Sequence, residues 1–272
     1  MILQWTVPGR LLVFVLAATS IWCLLSEMYG LCDMRTFFYA ILLPATAALY
    51  GIAVLDRVKG DGRLFRAVMI GSLAGLFGAV AYDVFRLPFV FSDAWGMSKV
   101  GIPQMQLFKV FPRFGALILG EPLEQGVPAG QPGSAWGAGY SLTAHVLGWL
   151  YHFSNGATFG VMFAALYSGA RELVRGSIGG SGGGSGGGSG GGSGGGSGGR
   201  ARSGRWKPVL WATVMAVGIE VCLLISPYAK FFAIHMTPRF VVVTMLAHLI
   251  FGVGLGLCYV WCVRRWRALP LR

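Results

Sequence analysis

Six long apolar runs, separated by short clusters of charge, leave this chain few folds to adopt. They cover roughly residues 10–29, 37–55, 67–91, 141–169, 207–228 and 240–263. Each is near the roughly 20 mostly apolar residues that a helix needs to cross the hydrocarbon core of a bilayer. Only 12% of the 272 residues are charged, against about 25% in a soluble domain. Too few charges remain to cover a water-facing surface. The sequence therefore predicts an all-α, polytopic transmembrane bundle of about six spans.

Orientation follows from where Lys and Arg fall. Arg57, Lys59, Arg63 and Arg66 separate the second and third runs. Arg171, Arg175, Arg200, Arg202, Arg205 and Lys207 separate the fourth and fifth, and Arg264, Arg265, Arg267 and Arg272 close the chain. With Arg10, these lie on one side of an alternating path. The other side holds fewer cations: Arg35, Lys99, Lys109, Arg113, Lys230 and Arg239. The excess marks the cytoplasmic face, so both termini are expected inside. The net charge of +12 is thus spent at a membrane surface, and no nucleic-acid partner is expected. The run after Arg10 has no clear small-x-small cleavage site and reads as a retained signal anchor. Five cysteines, four of them in apolar runs, make no disulfide framework.

Residues 1–178 are read as the first four spans, and 200–272 as the last two. Between them, residues 179–199 are only Gly and Ser, with Ser181, Ser185, Ser189, Ser193 and Ser197 at a period of four. Such a segment cannot bury apolar surface and reads as a flexible coil about 25 Å across. Its regularity fits either an engineered linker or a natural low-complexity repeat. The longest other segment, 92–140, divides in two. Its first half alternates Met105, Phe108, Phe111 and Phe114 with Gln104, Gln106, Lys109 and Arg113, and part of it is expected to lie in the membrane interface. Its second half, Glu121 to Gly139, is a Gly/Pro-rich loop.

Ionisable side chains inside apolar runs are the strongest functional signal, because each costs roughly 2.5–3.5 kcal/mol at the centre of a membrane helix. Here they are Asp83 and Arg86, His145 and His152, Glu220, and His248. At about 1.5 Å per residue, His145 lies about 6 Å and His152 about 16 Å below the outer end of their run, with His248 and Glu220 about 12 Å deep. His145 and His152 are seven residues apart and share a helix face with Asn155. Polar groups from four runs at one level predict a cavity open to the outside. His145 is expected at its entrance and His152 at its floor, with His235 outside, in the loop between the last two runs. Gly71, Gly75, Gly78 and Ala79, and later Gly252 and Gly256, sit at spacings that let helix backbones approach closely.

The stretches GSLAGLFGAVAYDVFRLPF, AHVLGWLYHFSNGATFGVMFA, SPY around Pro227, and LAHLIFGVGLG resemble the YagU-like group of small bacterial inner-membrane proteins. The resemblance covers roughly residues 67–265. It implies a bacterial inner-membrane location and a four-helix core, to which the first two spans are an addition, and it supplies no catalytic mechanism. Ser141 and His145, with Asp83 on another run, are also similar to part of the site in membrane zinc hydrolases of the alkaline ceramidase type. Those need an H-x-x-x-H pair on a late helix, where this chain has Thr244 and His248.

Three functions fit these residues. Transport or permeation of a small solute or ion, responsive to pH through its histidines, would use the cavity as a vestibule. A membrane scaffold or assembly subunit, bound to further copies or to a partner protein, would need the polar groups only for helix packing. A metal or haem site would draw on His145, His152, His248 and Glu220, although no C-x-x-C-H or H-E-x-x-H motif occurs. Transport is the first expectation, and an enzyme is the less favoured one.

Overall fold

Each apolar run becomes a helix because a chain without water must satisfy its own backbone N–H and C=O groups. The computed structural model describes residues 5–123, 139–179, 206–232 and 234–268, with 168–179 and 267–268 described by backbone alone. Its long helices are α1 (Val7–Met28), α2 (Met34–Lys59), α3 (Arg63–Val90), α5 (Leu142–Gly179), α6 (Lys207–Ile225) and α8 (Pro238–Ala268). Two short ones join them, α4 (Val110–Leu119) and α7 (Tyr228–Phe231). The Gly/Ser segment beyond Gly179 and most of the Glu121–Gly139 loop lie outside the described residues.

Among the described residues, five helices, α1, α2, α3, α6 and α8, are long and apolar enough to cross a membrane. By length and composition the chain is that of a multi-pass membrane protein. The fourth run also forms a long helix, α5, but it is not among these five. His145, His152, Ser154, Asn155 and Thr158 dilute its hydropathy. Some of these polar groups meet other helices: the hydroxyls of Ser20 and Thr158 are 2.5 Å apart. Tyr151 of the same helix donates its hydroxyl to the Ser20 carbonyl at 2.7 Å. The outward faces of the five helices carry exposed Leu11, Val15, Leu55, Phe77, Val80, Leu210, Val214 and Leu257, a surface that lipid covers without cost.

Local chemistry sets the helix ends. The Asp33 carboxylate caps α2 by accepting from the Thr36 N–H at 2.8 Å, and that bond holds its carboxyl below the ordinary 3.8. Pro44 cannot donate a backbone hydrogen bond, and α2 widens into a π turn over Phe38–Leu42 just before it. Buried Asp56 accepts from the N–H groups of Leu64 and Phe65 at 2.9 and 3.1 Å, closing the α2–α3 hairpin and satisfying two orphan donors of α3. Pro227 stands where α6 has ended and α7 begins.

The bundle closes on small residues. A Cβ on Gly75 would stand 2.0 Å from the Gly156 carbonyl oxygen, and one on Gly160 the same distance from that of Gly71. Gly252 and Gly256 approach α6 at Thr213 and Val209 in the same way. These contacts place α3 between α5 and α8, with α5 also packed on α1 and α4.

Segment 92–123 departs from the interfacial reading. After α3 the chain folds back, with Met105 N–H donating to the Phe89 carbonyl at 2.8 Å, and α4 packs into the bundle. Phe111, Pro112, Arg113, Phe114, Gly115, Ala116 and Ile118 are all buried. Gly115 and Gly148 let α4 meet α5 almost backbone to backbone. The physical reason is that the apolar face of α4 meets other helices and Arg113 reaches a carbonyl inside the bundle, that of Phe232.

Candidate functional site

The turn of α3 that carries Tyr82, Asp83 and Arg86 is where the polar groups gather. Asp83 Oδ2 lies 2.9 Å from His152 Nε2 on α5, and Asp83 Oδ1 lies 3.5 Å from Arg86 Nη1. The carboxylate only accepts, so this imidazole carries its proton on Nε2. Across Tyr82, a second pair forms: His248 Nδ1 on α8 is 3.0 Å from Glu220 Oε2 on α6. The same nitrogen is 3.1 Å from the Thr244 carbonyl. Both partners are acceptors, so Nδ1 of His248 is protonated. The Tyr82 ring separates the pairs, 6.0 Å from the His152 ring and 4.9 Å from that of His248 between centroids.

Arg86 anchors the arrangement. Its Nη2 donates to the Leu107 carbonyl. Its guanidinium lies over the rings of Tyr82, Phe108 and Phe111, at 4.7, 5.2 and 5.4 Å from their centroids, a cation–π arrangement worth about 2 kcal/mol when desolvated. Phe111 also packs against His152, with 4.2 Å between ring centroids. Arg113 donates from Nη1 to the Phe232 carbonyl. An aromatic wall from the 105–114 segment thus holds Arg86 and His152.

These residues line a cavity of about 390 Å³, within the range of small-molecule sites. Arg86, His152, Asn155, Glu220 and His248 face it, and Asp83 stands behind Arg86 and His152. His145 does not line it. It lies two turns further along α5, where Ala144 and Gly148 are covered by α4. His235 does line it, at an exposed position, together with Tyr228, Phe232, Ile234 and Thr237 after Pro227. Tyr82, Arg113 and His235 are the residues that sequence reasoning missed. The available signal was the position of Tyr82, next to Asp83 and one turn before Arg86.

Among the described residues, no three His, Cys, Asp or Glu side chains are grouped as a metal ion would require. Ser141 does not join a zinc-type site with His145. Its hydroxyl accepts from the Ala144 N–H at 3.1 Å and donates to Glu121 Oε1 at 2.7 Å, capping α5. What the cavity offers chemically is two carboxylate–histidine pairs, two buried guanidiniums and an apolar enclosure. No family model, no curated protein and no solved structure matches the chain.

Proposed function

We infer that this is a six-span protein, with both termini in the cytoplasm of a bacterium, that admits a small solute or ion into the bundle through its outward-facing polar cavity. Counting α5 as a span rests on its length and its central place between α1, α3 and α4. The inner-membrane location rests on the YagU-like resemblance, and the orientation on the Lys and Arg distribution. One observation carries the transport reading: Asp83–His152 and Glu220–His248 flank Tyr82 at the wall of a 390 Å³ cavity. Packing alone would satisfy such groups with helix-to-helix bonds and would not need a cavity beside them. Protonation of an imidazole at such a wall changes the charge that a solute meets, which makes passage responsive to pH.

The test is osmotic. Proteoliposomes of the purified full-length chain are transferred to isosmotic solutions of small neutral and charged solutes, and swelling is followed by light scattering. Swelling faster than in empty vesicles for at least one solute, slowed by His152→Ala and by Glu220→Gln, is the expected result. Swelling no faster than in empty vesicles for every solute removes the transport reading and moves the scaffold role to first place.

A further inference from the structure

The two buried arginines of the cavity have more hydrogen-bonding capacity than the protein uses. Arg86 is 4% exposed and Arg113 is 7% exposed, and both face the cavity. Arg86 spends Nη2 on the Leu107 carbonyl, while its Nε and Nη1 make no hydrogen bond. Asp83 stays at 3.5 Å as a charge neighbour only. Arg113 spends Nη1 on the Phe232 carbonyl and leaves Nε without a partner. Among the described residues, no carboxylate lies within ion-pair distance of Arg113. A guanidinium cannot lose its proton inside a protein, so a buried arginine without a counter-charge is costly. Such a group marks a place where an anion belongs.

The charge balance sets the valence. Asp83 stands beside Arg86, and Glu220, which also lines the cavity, stands beside His248. Among the described residues, Arg113 is the guanidinium of the cavity with no carboxylate beside it, so one positive charge is left unanswered. A cationic ligand would face Arg86 and Arg113, and a multiply charged anion would face Glu220 and Asp83. The rest of the lining decides the body of the ligand. Ile21, Leu24, Phe114, Leu224, Phe240 and Phe251 present hydrocarbon to the same space.

We propose that the cavity binds an amphiphilic monocarboxylate, its head on Arg86 and Arg113 and its apolar chain or ring against the surrounding aliphatic and aromatic side chains. This names the substrate class of the transport reading and rests on it for its biological meaning. The head group is the same whether the acid arrives dissolved in water or from the bilayer.

The test is equilibrium binding to the full-length protein in lipid nanodiscs, with empty nanodiscs subtracted, using octanoate, octanol and octylamine. The expected result is saturable octanoate binding at least tenfold tighter than octanol, with no saturable octylamine binding. Arg113→Gln should weaken octanoate at least tenfold and leave octanol unchanged, and Arg113→Lys should recover part of the loss. Equal binding of the three probes, or preference for octylamine, overturns the proposal. That comparison uses the unaltered protein and decides the matter even where Arg113→Gln does not fold. A folded Arg113→Gln variant with octanoate affinity within twofold of the original also overturns it. Two competitors identify the source: oleate placed in the nanodisc lipid displaces octanoate if the acid comes from the bilayer, and benzoate in water displaces it if the acid is soluble. Octanoate binding without any solute-dependent swelling leaves this site standing and removes transport. Swelling without octanoate binding does the reverse.

Discussion

Gly75 offers the most quantitative check on how the site is held. Adding one methyl group there, as Gly75→Ala, places a carbon 2.0 Å from the Gly156 carbonyl oxygen and 2.9 Å from both the Gly156 carbonyl carbon and the Gly160 nitrogen. All three atoms are backbone, so no side chain can rotate away. Ordinary contact begins at 3.4 Å, and α3 and α5 must part until that distance is reached. Overpacking of this kind costs about 1–3 kcal/mol. The displacement is also large enough to break the 2.9 Å bond between His152 and Asp83, which are carried by the same two helices two turns and one turn away. The matched control is Gly218→Ala. Gly218 is exposed on α6 and has no atom within 4 Å of its added carbon, so alanine should be neutral or stabilise the helix by up to about 1 kcal/mol. Both variants are purified in the same detergent, and their unfolding is followed by thermal melting on size-exclusion chromatography. Gly75→Ala should melt several degrees lower and Gly218→Ala should not. Equal melting of the two variants would show that the α3–α5 approach is not what the structure describes.

Asp83→Ala leaves both His152 and Arg86 without their carboxylate, and breaking a buried pair costs about 3–5 kcal/mol; in a double-mutant cycle with His152→Ala, the two losses should be non-additive by about 0.5–3 kcal/mol, and strict additivity would mean that the two residues do not interact. Cys32, in the turn before α2, should react with an impermeant maleimide added outside intact cells, and reaction only after lysis would reverse the proposed orientation. The Asp33 cap contributes to α2 at pH values above the ordinary 3.8 and is lost as pH falls through its lowered value. Exchange of the Thr36 amide hydrogen should therefore gain an acid-dependent opening only below about pH 4, and protection unchanged down to pH 2 would rule the cap out.

The helices and their close packing were legible because lipid imposes simple rules. Apolar length marks a span, and glycines spaced at helical intervals mark a contact, as Gly71 and Gly75 do against Gly156 and Gly160. The gathering of Asp83, His152, Glu220 and His248 was open to depth arithmetic, since charges in lipid seek one another. What the sequence hides is which polar groups backbone atoms answer. Arg113 looks like a residue of an interfacial face until the Phe232 carbonyl is seen beside it. His145 shares a face with His152 by spacing, yet α4 covers that stretch of α5, a fact no helical wheel contains. His235 looks external because nothing in the sequence says that residues after Pro227 line the cavity.

Arg113 and Phe232 are 119 positions apart in the chain, and that separation has a consequence for biogenesis. Asp83, Arg86, Arg113 and His152 are all synthesised before Gly179, while Glu220, Phe232 and His248 follow Trp206. The cavity is therefore a seam between an early and a late part of the polypeptide. Until the late part is made, Arg113 lacks the Phe232 carbonyl, while Arg86 already has Leu107 and Asp83. A polypeptide ending after Gly179 would leave the buried Arg113 guanidinium without its acceptor, at a cost of about 1–3 kcal/mol. Separate expression of the two parts should give a stable early part only when the late part is present in the same membrane.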